Sequence, residues 1–114
     1  MTVIYHNPRC SKSRETLQLL EDNNIIPEVK LYLQTPPTKE ELKELLKELG
    51  MSSAQELMRK KEEDYKALNL KSETDEEKLL DAMINHPKLI ERPIVVHGGK
   101  AKVGRPPESV LELF

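Results

Sequence analysis

The sequence contains a single cysteine among its 114 residues, and this scarcity excludes an internal disulfide. Its three histidines fall in unrelated segments, so the sequence predicts no zinc site and no other metal centre. No apolar run approaches the length of a membrane span, and Met1–Ile4 leads into a strand pattern that differs from a signal peptide. These absences predict a protein of a reducing, cytoplasmic compartment without a membrane partner.

An excess of charge of one sign is also missing. The formal net charge is -2, with acidic and basic residues interspersed, so nothing in the composition favours nucleic acid as a partner. A length of 114 residues is enough for one domain whose hydrophobic core needs neither disulfides nor a structural metal. We therefore expect a single domain, and we expect it to be a monomer.

The one cysteine, Cys10, lies between a short apolar strand and an amphipathic helix. The amide groups of a helix N-terminus and the neighbouring cations Arg9, Lys12 and Arg14 all favour the anionic form of its sulfur. A lone cysteine is more often an inert buried side chain, but this position and these neighbours reverse that expectation. Cys10 is therefore the candidate nucleophile.

The first part of the chain predicts a βαβ unit. Thr2–His6 has an apolar strand pattern, and leucines at helical spacing then mark a helix that runs to about Asn23. Glu28–Leu33 alternates polar and apolar residues like a second strand, and the intervening helix makes it parallel to the first.

The middle and the end of the chain predict helices followed by a hairpin. Thr38 begins a helix with a capping box, and a broken helical pattern follows from Ser52 to about His86. Gly98–Gly99 separates two strand patterns, Pro93–His97 and Lys100–Val103, and suits a tight turn because glycine readily adopts positive φ. A last helix is expected over Glu108–Phe114.

This order of elements, βαβ, then helices, then ββα, resembles a thioredoxin-like domain with a helical insertion between its halves. The resemblance implies an α/β fold with a mixed four-stranded sheet. Residues 1–114 would form one domain, with the all-helical insertion at about 38–90. In such domains the proline that opens the third strand is commonly cis and faces the reactive cysteine, which implies this role for Pro93.

Three further arginines stand out by their context. Arg92 and Arg105 lie at strand ends in the second half of the chain, where rigid backbone can aim a side chain, and Arg59 lies in the helical region. A lone surface arginine is usually a solvated charge. A guanidinium group, however, matches a tetrahedral oxyanion and stays charged at any relevant pH. Arginines around a thiolate therefore indicate a site where an oxyanion accepts a nucleophile.

Four segments resemble, in the same order, the glutaredoxin-dependent arsenate reductases, and together they span almost the whole chain. They are His6–Arg14, Leu57–Lys60, Glu91–Val96 and Gly104–Glu108. The resemblance implies that Cys10 is the catalytic nucleophile. It implies that Arg59, Arg92 and Arg105 bind arsenate and the arsenite intermediate, and that His6 supports the thiolate. Ser13 also flanks the nucleophile and is a second candidate for this support.

The implied activity is an oxidoreductase reaction that converts arsenate to arsenite with thiols from outside the chain. The residues agree with this, because a chain with one cysteine cannot supply two electrons by closing its own disulfide. Glutathione and glutaredoxin are therefore the predicted reductants and partners, and no bound cofactor is expected.

Two other functions share features of this sequence. A regulator of the Spx type has the same fold and binds RNA polymerase, but its redox switch needs a second cysteine where this chain has Ser13. A monothiol glutaredoxin-like oxidoreductase is compatible with the Cys-x-x-Ser spacing, although it has no need of three arginines. Ser11 and Lys12 replace the glycine and threonine of better-studied arsenate reductases, which leaves another oxyanion or a thiol adduct open as substrate.

Overall fold

A computed structural model describes residues 2–114 of the chain. The chain forms two compact units. One contains the residues up to Thr35 together with Arg92–Phe114, and the other contains Pro36–Glu91. We call them the sheet unit and the helical unit. The expectation that both belong to one domain stays a prediction.

The sheet unit is built on four strands in the order β2-β1-β3-β4, where β1 is Thr2–Tyr5, β2 is Glu28–Lys30, β3 is Ile94–His97 and β4 is Lys100–Val103. Strand β1 runs parallel to β2 and antiparallel to β3, and β3 runs antiparallel to β4. This arrangement confirms the predicted mixed sheet. The long connection between β1 and β2 allows a parallel pair, whereas β3 and β4 form a hairpin.

The strand register brings four chain segments to one edge of this sheet. Tyr5, the last residue of β1, pairs with Lys30 at the end of β2 and with Ile94 at the start of β3. Ile94 also pairs with Val103, the last residue of β4. The segments that follow β1, β2 and β4 therefore meet the segment that precedes β3. We call this the active edge.

Helix α1, Ser11–Asp22, packs on the sheet through a fully buried cluster. The cluster consists of Ile4, Leu20, Val95 and Val110. Val110 comes from the last segment, which forms a 3₁₀ helix over Pro107–Leu113 rather than the predicted α-helix. Phe114 is half exposed and lies beside His97 of β3, with ring centroids 4.5 Å apart.

Strand β2 is shorter than its polar-apolar alternation predicted. The chain turns after Lys30, where the carbonyl oxygen of Leu31 accepts hydrogen bonds from the backbone N–H groups of Gln34 and Thr35. Tyr32 is buried within this turn and Leu33 is exposed. The apolar positions of the alternation, Val29, Leu31 and Leu33, are exposed or only partly buried, so the alternation does not reflect a strand with one buried face.

The hairpin between β3 and β4 agrees with the prediction. Gly98 has φ of +60° and Gly99 has φ of +79°, so both central residues lie in the left-handed region that a tight primed turn requires.

The helical unit contains α2 (Lys39–Leu49), α3 (Glu63–Ala67) and α4 (Glu76–Asn85). Short 3₁₀ helices occupy three other positions: Ala54–Leu57, Leu70–Ser72 and Pro87–Leu89. The predicted capping box is present, because the Thr38 hydroxyl accepts from the N–H of Glu41 and the Glu41 carboxylate accepts from the N–H of Thr38. Within residues 2–114, no helix is long and apolar enough to cross a membrane.

Candidate active site

The Cys10 thiol lies at the active edge, on the residue that caps the N-terminus of α1. The Asn7 side chain accepts a hydrogen bond from the N–H of Arg9, and the Asn7 carbonyl accepts one from the N–H of Cys10. These bonds form a tight turn, so the chain enters the helix at Cys10 with extended backbone angles. The sulfur is buried, with 9% of the residue exposed, beside the free amides of a 12-residue helix.

The guanidinium group of Arg105 contacts this sulfur. Its Nη2 lies 3.8 Å from Cys10 Sγ, and its Nε donates to the carbonyl oxygen of Arg92 at 2.9 Å. Arg105 follows β4 and Arg92 precedes β3, so the strand register brings both residues to the active edge. The structure therefore brings together Cys10, Arg105 and the Arg92 backbone, which are far apart in the sequence.

Gly104 determines how closely the Arg105 segment approaches α1. Its N–H donates to the carbonyl oxygen of Pro93 at 2.9 Å. A Cβ atom at this position would lie 2.6 Å from Thr16 Oγ1 and 2.8 Å from Pro93 Cγ, which is too close for any side chain. Gly104 belongs to the segment Gly104–Glu108, but its local sequence predicts no structural role for it. The only signal was a glycine between a strand and the sequence Arg-Pro-Pro.

The Arg92–Pro93 peptide bond is cis, as the resemblance predicted, and Pro93 is buried. The Arg105–Pro106 bond is also cis, and no local signal in the sequence predicted this. Both bonds adjoin the arginines at the active edge.

His6 and Ser13 form a buried polar pair beside the cysteine loop. His6 Nδ1 and Ser13 Oγ are 2.6 Å apart, and Ser13 Oγ accepts the backbone N–H of Asn7 at 3.0 Å. Burial lowers the pKa of His6, and the positive charge of Arg14 lowers it further. A neutral ring fits this pair, because the serine hydroxyl is then free to donate its proton to Nδ1.

The other cations near Cys10 have different contacts. Arg14 Nη1 donates to the Pro8 carbonyl oxygen at 2.9 Å and so links α1 to the loop. Lys12 is exposed and forms an ion pair with Glu15 at 3.6 Å. Arg14 is therefore part of the loop's structure, and Lys12 lies on the exposed face of the helix.

Arg59 lies in the helical unit. Its Nη1 contacts Glu62 Oε1 at 2.6 Å, and its Nε lies 3.7 Å from Glu91 Oε1. The Arg59 N–H donates to the Leu89 carbonyl oxygen, next to the bridge between Met58 and Ile90. Two carboxylates thus orient the guanidinium group, and about a quarter of its side chain is exposed.

The sheet unit combines a thiol at a helix N-terminus with a guanidinium group in contact with its sulfur. The helix end and the guanidinium both suit an oxyanion bound next to the sulfur. Residues 2–114 present no group of three or more histidine, cysteine or acidic side chains that could hold a metal ion.

Comparisons with known proteins agree with this chemistry. The chain is 64% identical to the uncharacterised protein YfgD of Escherichia coli K12, across 96% of this chain and 93% of that protein. It is 52% identical to an arsenate reductase of Haemophilus influenzae, across 98% of this chain and 97% of that protein. The solved structure of an arsenate reductase from Vibrio cholerae superposes with a TM-score of 0.96 at 58% identity, covering 99% of this chain and 97% of that one.

The predicted family relationship and thioredoxin-like α/β fold are thereby confirmed. The model of the ArsC family matches residues 5–113, nearly the full chain. This protein therefore belongs to the ArsC family.

Proposed function

We propose that this protein is an arsenate reductase in which Cys10 is the nucleophile and glutathione and glutaredoxin supply the electrons. The contact between Arg105 Nη2 and Cys10 Sγ, 3.8 Å long, carries the proposal. Relatives named arsenate reductase, similar over their whole length, support the choice of arsenate among the tetrahedral oxyanions.

In the first step, Cys10 Sγ attacks the arsenic atom of arsenate. One arsenic–oxygen bond breaks, the departing oxygen leaves as water after protonation, and a sulfur–arsenic bond forms. Arsenic remains pentavalent at this stage. The Arg105 guanidinium lies where negative charge must be stabilised, since its Nη2 is next to the attacking sulfur.

Reduction requires two external thiols. Glutathione replaces a second oxygen on arsenic, which leaves as water, and forms a second sulfur–arsenic bond. The glutaredoxin thiolate then attacks the glutathione sulfur. The bond from that sulfur to arsenic breaks, its electron pair stays on arsenic, and a glutathione–glutaredoxin mixed disulfide forms. Water finally displaces Cys10 from trivalent arsenic, which releases arsenite and the free thiol.

The three arginines are assigned to the oxyanion. Arg105 bridges the sulfur and the backbone of Arg92, so we assign these two residues to arsenate and its reduced intermediate. Arg59, oriented by Glu62 and Glu91, is assigned a third contact to the anion. Fixed cations offset the repulsion between a thiolate and an arsenate anion, which would otherwise oppose the attack.

Other side chains position the nucleophile. The His6–Ser13 pair holds the backbone of Asn7 and so the start of the cysteine loop. Pro93 contributes its carbonyl to Gly104 and packs where a larger residue at position 104 would clash. We further propose that the protein is cytoplasmic, since glutathione as a reductant implies a reducing compartment.

The test is a coupled assay. Purified protein is mixed with arsenate, glutathione and glutaredoxin, and arsenite is measured directly, with phosphate in place of arsenate as a control. We expect arsenite formation that depends on both thiol components. Absence of arsenite with folded wild-type protein would reject the proposal. Arsenite formation without glutaredoxin would reject the assignment of the reductant.

A further inference from the structure

A cavity of about 300 Å³ lies at the active edge, beside the cysteine loop. One wall is the loop Asn7–Arg9, which immediately precedes Cys10. The other wall is the turn after β2 and includes Leu31, Leu33 and Gln34. We call this cavity the β2 pocket. Small-molecule sites have volumes of roughly 300 Å³ and more, so this pocket is at the lower end of their range.

The polar groups of the β2 pocket favour an anion. No acidic side chain lines it. Within residues 2–114 the Arg9 guanidinium has no ion pair, and the Gln34 carboxamide has no hydrogen bond. The remaining ionisable group is His6, which burial keeps in the neutral form near pH 7 because it lowers its pKa. Arg9 thus carries the formal charge of the pocket, and its guanidinium group can bind a carboxylate.

The apolar residues of the β2 pocket indicate which kind of anion fits it. Leu33 is an exposed large hydrophobic residue, and Leu31 is partly buried beside it. A small, fully hydrated oxyanion gains nothing from such a wall, whereas a ligand with aliphatic carbons next to its carboxylates buries them there. The pocket therefore suits a small peptide with carboxylate groups better than a second arsenate.

The position of the pocket relates it to the cysteine. Strand β2 is one end of the sheet and β4 is the other, so the pocket flanks the cysteine loop on the side away from the β4 segment that carries Arg105. Arg9 is adjacent to Cys10 in the chain. A ligand of three residues spans roughly 10 Å, which lets it occupy the pocket and still extend past the loop.

We infer that the β2 pocket binds glutathione, with one carboxylate on Arg9 and its aliphatic carbons against Leu31 and Leu33. This inference rests on the proposed function, because it names the site of that reaction's thiol substrate. The oxyanion and the thiol then approach the cysteine loop from opposite sides. Neither substrate has to displace the other before the two sulfur–arsenic bonds form.

Binding is tested with S-methylglutathione, which retains both carboxylates but has no thiol. It is titrated into ¹⁵N-labelled wild-type protein and followed by amide chemical shifts. We expect saturable shifts at Asn7, Arg9, Leu31, Leu33 and Gln34, and weaker binding at higher salt. Saturable shifts confined to the β3–β4 side, around Pro93 and Gly104, or no saturation at all, would overturn the inference.

Matched variants test the charge argument. Gln34→Glu adds a negative charge with almost no change in shape, and Gln34→Met removes the polarity without adding charge. We expect Gln34→Glu to raise the Kd of S-methylglutathione about tenfold, and Gln34→Met to change it less than about threefold. Equal effects of the two variants would contradict binding through a carboxylate.

These outcomes separate the inference from the proposed function. If S-methylglutathione binds in the β2 pocket but arsenate yields no arsenite, then the proposed function fails and the pocket assignment stands. If arsenite forms but the shifts lie elsewhere, only the pocket assignment fails.

Discussion

Arg105 donates a hydrogen bond from Nε to the carbonyl oxygen of Arg92, 2.9 Å away. The bond orients the guanidinium plane, so that Nη2 of the same group reaches the sulfur of Cys10. A flexible arginine thereby acquires a defined direction from the backbone of the neighbouring strand end. Pre-organised charge of this kind stabilises a transition state without reorganisation during the reaction.

Replacing Arg105 should therefore affect turnover more than stability. We expect Arg105→Met to reduce kcat/KM for arsenate by about 10²–10³, the effect of losing one positioned donor. Arg105→Lys should be more active than Arg105→Met but less active than the wild type. A single ammonium group lacks the planar fork with which arginine bonds the Arg92 carbonyl and contacts the sulfur at the same time. Lys100→Met, in the exposed hairpin, is the control for loss of a positive charge. Full activity in Arg105→Met would contradict the assignment.

Cys10→Ser should lower arsenite formation to the rate without enzyme. A serine hydroxyl is a far weaker nucleophile than a thiolate and cannot carry arsenic through the thiol exchange. The measurement is arsenite release in the coupled assay, with circular dichroism and thermal unfolding to verify the fold. Retained turnover in a folded Cys10→Ser protein would show that the nucleophile lies elsewhere.

The proposed contact between Arg59 and arsenate can be tested by substitution. We expect Arg59→Met to raise the KM for arsenate, because the variant loses a cation that Glu62 and Glu91 hold in one orientation. The adjacent, exposed Lys60 is the matched control, and Lys60→Met should leave the KM within about twofold. Similar changes in both variants would indicate a general charge effect instead of a specific contact.

Gly104→Ala should destabilise the sheet unit. The added methyl group would lie 2.6 Å from Thr16 Oγ1 and 2.8 Å from Pro93 Cγ, so the backbone before Arg105 must move. Overpacking of this kind costs about 1–3 kcal/mol in the free energy of unfolding, measured by chemical denaturation. The cost should be smaller in a Thr16→Ala background, which removes the nearest atoms. An equal cost in both backgrounds would argue against the clash with Thr16.

His6 makes stability depend on pH in a defined direction. The folded protein holds the pKa of His6 below its ordinary value of 6.5, whereas the unfolded chain titrates near that value. As the pH falls below about 6.5, the unfolded state takes up a proton that the folded state resists. The free energy of unfolding should therefore decrease as the pH falls through this window, and level off below the folded pKa. Above about pH 6.5, the ring is neutral in both states, so His6 does not make the free energy of unfolding depend on pH.

The control for this dependence is His6→Asn. It removes the titrating ring, and His86 and His97 are unchanged in both proteins. The difference between the two stability curves therefore isolates His6. Parallel curves between pH 7 and pH 5 would contradict the shifted pKa.

The chain by itself determined most elements of the fold. Strong local signals were sufficient for the Thr38–Glu41 capping box and the Gly98–Gly99 turn, because both depend on interactions among neighbouring residues. The sequence failed where alternation did not correspond to burial: Leu33, in the apolar phase, is exposed, and Tyr32, in the polar phase, is buried within a turn. The length of β2 was overestimated for that reason.

The candidate site likewise has one part that the sequence predicted and another that only the tertiary structure decided. Cys10 was recognisable from its place between a strand and a helix and from the cations beside it, all within a few residues. Only the tertiary structure decided which arginine contacts the sulfur, because the strand register brings residue 105 to residue 10. The need for glycine at position 104 was equally hidden, since the atoms that exclude a side chain belong to Thr16 and Pro93. Contacts between distant segments depend on packing, and no local pattern encodes them.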